Sequence, residues 1–359
     1  MKRVPPFLFL ILMVIYFFII DPLFALELKQ GRVKLILHEN LGRFSLFYMS
    51  DVSRERYTPL LLDQDPRTSV FSVLMGNKVF RMGETSGFSQ TVEKVDDGAR
   101  FIWTSSMLEI TKTFTFITSR GSALSNGVRI DIQIKNISEQ DQSIGIRYLL
   151  DTYLGEKSGV HFKTKTTEKF SNEAEFLSSN MPEYCFSPSS EIENVGFQLI
   201  TKGKGITIPD KIVLANWKRL NDTSWSYQAR TNRNFNHLPY SINDSAICVY
   251  YNPVNISPGG TRKVVMVMGN FDPEGYASVT TKPEDKKEIT DIFDQAVKTG
   301  ETPDSDKEIS VRTDLITIRD LLVKLNSKLN SPETVENEEI SVMRQVLETL
   351  EKRKNQYEK

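Results

Sequence analysis

The feature that most constrains this chain is a change of period near Asp272–Lys282. Before it, apolar residues alternate with polar ones, as in Val128, Ile130, Ile132 and Ile134 with Arg129, Asp131 and Gln133 between them, the pattern of half-buried strands. After it they follow a heptad. Leu315, Ile318, Leu322, Leu325 and Leu329 are spaced three, four, three, four, and Ile340, Met343, Leu347 and Leu350 repeat that spacing. The pattern predicts a mainly β protein, a large antiparallel β-sandwich followed by a C-terminal α-helical hairpin or coiled-coil module.

Three segments follow: 1–25 as a signal peptide, 26–276 as the sandwich and 277–359 as the helical module. Lys2 and Arg3 precede an apolar run from Phe7 to Ile20, which Asp21-Pro22 ends. As a helix that run reaches about 21 Å, short of a bilayer core of roughly 30 Å, so it reads as an export signal with cleavage after Ala25. An uncleaved anchor is the alternative, because Leu23 is larger than the usual small residue. No later stretch is apolar and long enough to span a bilayer. The expected location is therefore outside the cytoplasm, in the periplasm.

A formal net charge of −1 gives no basic field for nucleic acid. The two cysteines, Cys185 and Cys248, would meet an oxidising compartment and form a disulfide, or else stay as two buried thiols.

Strands are expected at Val33–Glu39, Arg43–Met49, Ser69–Met75, Lys78–Met82, Phe101–Ser105, Glu109–Ile117, Val128–Ile137, Ile144–Tyr153, Gly196–Thr201, Lys211–Trp217, Ala246–Tyr251 and Arg262–Phe271. No periodic helix intervenes, which argues for antiparallel sheets stacked as one large sandwich.

Two blocks carry a resemblance. Gly145-Ile146-Arg147-Tyr148-Leu149-Leu150-Asp151-Thr152-Tyr153-Leu154-Gly155, led by Asn136-Ile137-Ser138, resembles a strand-and-turn motif of exported bacterial β-sandwich proteins. Asn243–Tyr251 with Pro253 and Pro258-Gly259 resembles their closing strands, and the implied architecture is similar to the galactose-mutarotase-like supersandwich. Gly31–Tyr48 and Asp65–Val73 are similar to spirochaete envelope proteins of unknown role. Related motifs often continue with Asn-Asp after the glycine, and here Glu156-Lys157 follows, so no cation site is carried over. Asp151 and Thr152 are expected to bond backbone donors of the turn.

No catalytic motif is present, and no cofactor or metal is expected. Mutarotase-type chemistry needs a histidine and a carboxylate around a sugar ring oxygen. His161 or His237 with Glu156 or Asp244 would serve, but any large chain offers such combinations. The candidate recognition surface is Trp217–Tyr240, with Trp217, Arg219, Trp225, Tyr227, Arg230, Arg233 and Tyr240. Aromatic faces and planar polar groups there suit a glycan or an acidic partner, or simply close the end of the sandwich. In the tail, Asn330-Ser331-Pro332 breaks the two seams, and the hairpin is expected to pack on the β body, self-associate, or meet an envelope protein. The expectation is a non-catalytic exported envelope protein attached through its helical tail; the alternative is a glycan-binding or glycan-processing sandwich.

Overall fold

The structure, a computed structural model, describes residues 25–51, 54–120, 122, 124–273, 275–276 and 337–357. The first helix of the expected tail and the Leu315, Ile318, Leu322, Leu325 and Leu329 seam lie outside the described residues, as do residues 1–24.

Among the described residues, seventeen strands form three antiparallel sheets. The first contains β1 (Ala25–Gln30), β2 (Val33–His38), β3 (Arg43–Asp51) and β4 (Arg56–Pro59), in that order. A six-stranded sheet has β12 (Ala174–Leu177), β15 (Lys211–Asn216), β16 (Ser245–Ile256), β11 (Gln142–Thr152), β5 (Val70–Met75) and β6 (Lys78–Arg81). A seven-stranded sheet has β13 (Tyr184–Pro188), β14 (Gly196–Ile200), β17 (Thr261–Asn270), β10 (Gly127–Asn136), β9 (Leu108–Ile117), β8 (Gly98–Thr104) and β7 (Ser89–Val95).

The two large sheets bury their facing side chains in one core. Ile130, Ile132 and Ile134 of β10 meet Ile144, Ile146 and Tyr148 of β11 there, while Arg129, Asp131 and Gln133 point away, as the alternation requires. Phe44 of β3 joins the third sheet to both others, its ring 5.0 Å from Phe114 and 6.3 Å from Tyr148. At this junction Lys112 is buried among six aromatic rings.

The six-stranded sheet has a second buried face. Val70, Leu149, Val213, Ala215, Ala246, Cys248 and Tyr250 form a separate apolar cluster. It is covered by helix α1 (Trp217–Asp222) and the strap that follows, through Leu220, Trp217, Tyr227 and Ala229. The Asn216 side chain caps α1, accepting from the amides of Lys218 and Arg219. That cap ends β15 one residue before Trp217, which the alternation had assigned to the strand.

Each of the twelve expected strands is present, with ends shifted by a few residues. Cys185 and Cys248 are corrected: both are free buried thiols, one on β13 of the seven-stranded sheet and the other on β16 of the six-stranded sheet. They belong to different apolar clusters, so no disulfide joins them.

In the tail, α2 (Asn337–Tyr357) lies against the β1–β2 turn, where Arg32 Nη2 donates to Gln345 Oε1 at 2.6 Å. Its buried stripe is Met343, Val346 and Leu350. Ile340 and Leu347 are each 44% exposed, so the expected seam is only half used. Among the described residues, no helix is long and apolar enough to cross a membrane.

Candidate functional site

At the end of β11 the chain turns sharply. Gly155 is required there, because a Cβ would lie 2.1 Å from the Val160 carbonyl oxygen and 2.9 Å from His161 Cα. The turn points Glu156 at the start of β16, where Glu156 Oε1 accepts from the Ser245 amide at 2.9 Å. Asp244, just before Ser245, accepts through its carbonyl from the Trp217 amide at 3.2 Å and from Asn216 Nδ2 at 3.0 Å. Its carboxyl bonds Ser241.

Burial raises each of these carboxyls, and the Asp244 charge adds to the effect on Glu156 and Asp151. Burial, the Asp244 charge and opposition from Ser245 leave Glu156 pushed up to about 8. Burial also raises Asp244, against its bond to Ser241. Asp151, buried at the end of β11, is pushed well above the usual carboxylate range by burial first, then by Asp244, Glu156 and Asp65. Near neutral pH Glu156 is therefore largely protonated and able to donate as well as accept, and Asp151 and Asp244 are shifted in the same direction.

Asp151 does not bond the turn as expected; its side chain bonds Thr68, and its amide donates to Ser69 Oγ at 3.1 Å. Thr152 Oγ1 bonds the Ser245 carbonyl across the sheet at 2.8 Å.

Beside the carboxyls a short loop projects into solvent. The amide of His237 donates to the Ser241 carbonyl at 2.8 Å, and the Ser241 amide returns to the His237 carbonyl at 2.9 Å. Asn236 Oδ1 accepts from the Asn243 amide at 2.6 Å. This closure leaves Leu238, Tyr240 and Ile242 exposed to 70, 69 and 69%. The Tyr240 ring meets His237 edge-on at 5.4 Å, and Lys218 Nζ lies 5.5 Å from its centre.

Behind the turn, His161 packs on Phe235 with centroids 4.3 Å apart. Burial, assisted by Lys169, lowers it to about 4, so the imidazole is neutral at pH 7. His237 sits on the loop itself, and His38 lies elsewhere, bonded to Ser45 on the first sheet. Glu156 and Asp244, distant in sequence, thus share one end of the sheet. Among the described residues, no group of His, Cys, Asp and Glu is arranged to hold a metal.

The expected Trp217–Tyr240 surface is largely spent on internal bonding. Trp217 Nε1 donates to the Thr68 carbonyl at 2.9 Å. Trp225 lies over Gly145, where a Cβ would come within 2.9 Å of its ring, and edge-on to Tyr250 at 6.3 Å. The organiser is Glu173, a residue the sequence did not single out. Its fully buried carboxylate accepts from Arg219 Nη1 at 2.7 Å, the Tyr227 hydroxyl at 2.9 Å and the Arg230 amide at 2.9 Å. The Glu173 amide donates to the Arg233 carbonyl at 2.8 Å. Arg219 also holds the carbonyls of Asn234 and Asn236, which fixes the base of the exposed loop. Of the seven candidates, Tyr240 is the aromatic face left open. Glu173 stands between Glu168 and Glu175 in a stretch of mixed polar residues, and no pattern marks it out from them in sequence.

No family model matches the chain, and no characterised protein matches it in sequence. Among solved structures, it is similar to a putative aldose 1-epimerase from Escherichia coli, with 8% identity, a TM-score of 0.43, and coverage of 69% of this chain and 99% of that one. A galactose mutarotase related enzyme from Lactobacillus acidophilus gives 7% identity and a TM-score of 0.43, covering 71% and 100%. An α-N-acetylgalactosaminidase from Bifidobacterium bifidum gives 8% and 0.39, covering 77% and 39%.

Proposed function

We propose that the protein is an exported glycan-binding protein, and that the glycan meets the end of the six-stranded sheet where Tyr240 stands beside Glu156 and Asp244. The supporting observation is the pairing of one exposed aromatic face, held by His237 and Lys218, with the Asp244 carboxyl and with Glu156, raised so that it donates and accepts. A sugar offers a CH face for stacking and a ring of hydroxyls that need both donors and acceptors. Asn236 and Asn243 add amides at the same loop. The reading is of binding; no reaction is proposed. Export is supported by the pattern of Lys2, Arg3 and the Phe7–Ile20 run.

A screen of neutral and acidic oligosaccharides against the purified protein and its Tyr240→Ala variant tests this. Saturable binding by the wild type that the variant loses is expected; equal binding by both, or none by either, removes the reading.

Attachment through the tail is a second reading, favoured by the half-exposed Ile340 and Leu347 beside the buried Met343 and Leu350 of α2. It expects an envelope protein or a second copy as partner, and Leu347→Asp should release that partner while leaving glycan binding intact.

A further inference from the structure

On the covered face of the six-stranded sheet, five polar side chains stand in one row. Arg81 of β6 pairs with Ser72 of β5, Ser72 with Arg147 of β11, Arg147 with Tyr250 of β16, and Tyr250 with Lys211 of β15. Directly opposed residues of antiparallel strands share a face, so the row runs across the sheet as a band under the strap.

Its middle is deeply buried. Ser72 is fully buried, and Arg147 and Tyr250 are each 2% exposed. Two neighbouring polar atoms there, Ser72 Oγ and Arg147 Nε, make no hydrogen bond within the protein, while the Tyr250 hydroxyl is shared with Arg147 and Cys248. Arg147 is flanked by Cys248 and Tyr250, and its Nη2 donates to the Leu220 carbonyl at 2.5 Å. None of the ion pairs among the described residues includes Arg147, although a guanidinium keeps its charge at any ordinary pH. A charge buried in this way is costly unless an anion compensates it.

The two ends of the row hold the strap by neutral oxygens. Arg81 Nη1 and Nη2 both donate to Asn221 Oδ1 at 3.1 Å, besides the Arg81 pair with Glu84. Lys211 Nζ donates to the Tyr227 carbonyl at 2.8 Å, with Glu175 further off at 3.8 Å. Strap oxygens thus occupy donors at three points, and the Leu220 carbonyl competes directly with any anion for Arg147.

We infer that this row is an oxyanion-binding site, in which the Arg147 guanidinium and the hydroxyls of Ser72 and Tyr250 take a carboxylate, sulfate or phosphate group, with Arg81 and Lys211 at its flanks. A clamp that merely tethered the strap would use Arg147 and Lys211 but would give no role to the unbonded Ser72 hydroxyl. The site is separate from the Glu156 and Asp244 end and does not depend on glycan binding there. Entry of the anion displaces the Leu220 carbonyl and shifts Trp225, which lies edge-on to Tyr250, so the event reports itself in tryptophan fluorescence.

The test is titration of the full chain with sulfate, inorganic phosphate and glucuronate, each at millimolar concentration against chloride of matched ionic strength. Fluorescence and thermal unfolding are both recorded. A saturable change with at least one of the three is expected; response to sulfate and phosphate assigns a free inorganic anion, and response to glucuronate alone assigns the carboxylate of an acidic sugar. Arg147→Met should abolish the response. Because that variant alters a buried charge, Ser72→Ala and Tyr250→Phe serve as a second pair: the first removes a hydroxyl that bonds nothing in the protein and the second one shared only with Arg147 and Cys248, and each should weaken binding roughly tenfold while the fold persists. No saturable response in the wild type, or one unchanged in Tyr250→Phe and Ser72→Ala, overturns the assignment.

Discussion

Replacing Lys112 by methionine should make the protein more stable. Lys112 sits where the three sheets meet, with Nζ 5.0–5.8 Å from the centres of six rings, those of Phe44, Phe71, Phe101, Trp103, Phe114 and Tyr148. Its one polar contact is the Tyr148 hydroxyl at 3.2 Å, and no carboxylate pairs with it among the described residues. Two effects oppose each other. The rings favour an ammonium by about 0.5–2 kcal/mol for a well-placed contact, and contacts of this kind do not simply add. Burial disfavours it by several kcal/mol, and Arg43 adds repulsion. Burial wins, and the Lys112 pKa lies well below its ordinary 10.5.

Methionine fills similar volume without a charge to bury. It leaves the Tyr148 hydroxyl unpaired, at a cost of about 1–3 kcal/mol. Exchanges of buried ionised groups for apolar ones are commonly neutral or stabilising by about 1–4 kcal/mol, and the upper half of that range is expected here, because Lys112 has no carboxylate to lose. Urea unfolding at several pH values is the assay. Since the folded pKa is depressed, the unfolded chain binds the extra proton between that value and 10.5. Wild-type stability gains from Lys112 as pH rises through this window, with a slope of at most about 1.4 kcal/mol per pH unit, and loses that contribution as pH falls through the folded value. The advantage of Lys112→Met should therefore shrink as pH rises from 7 to 9.5. A variant destabilised by more than about 2 kcal/mol, with a difference that does not depend on pH, would show that the six rings hold a charged lysine and would refute the reasoning.

Three further outcomes follow from other sites. Glu156→Gln should remove a pH dependence of opposite sign: with its folded value raised to about 8, Glu156 contributes stability below its ordinary 4.5 that is lost as pH rises through 8, so wild type and variant should diverge from pH 5 to pH 8 in denaturant titrations. Glu173→Ala should cost about 3–5 kcal/mol, because Arg219, Tyr227 and the Arg230 amide lose their shared acceptor, and limited proteolysis should then cut within 223–243. Cys185 and Cys248 should resist alkylation in the folded protein and both label on unfolding, since each thiol is buried and burial pushes Cys185 up to about 12.

The sequence showed the interior of the sheets and, of their six edges, only β6. The strands it did not reveal are β1, β4, β7, β12 and β13, and each is the edge of its sheet. An edge strand is short, carries charges or proline, and buries at most one face, which weakens the apolar alternation. Arg56–Pro59 and Tyr184–Pro188 end in proline, and Ser89–Val95 has no buried residue at all. Central strands such as Val128 to Ile134 announce themselves because their inward positions must all be apolar. The site was less legible for a different reason. Glu156 and Asp244 were recognisable only as two carboxylates among many, and what couples them is the Thr152–Ser245 pairing of β11 with β16, a register that sequence spacing does not encode. The Trp217–Tyr240 segment stood out by composition, yet composition could not separate Trp217, Arg219 and Tyr227, which hold the strap to the sheet, from Tyr240, which faces solvent.

The central proposal is that glycan meets the Glu156, Asp244 and Tyr240 end, and amide chemical-shift mapping of the isotope-labelled protein during titration with a saccharide selected by the screen tests it most directly. The account predicts that the amides of Asn236, Ser241, Asn243 and Ser245 shift together and saturate with one dissociation constant, since each is bonded within the loop or to Glu156. Saturable shifts confined to other surfaces, or no shift at any saccharide concentration, would contradict it.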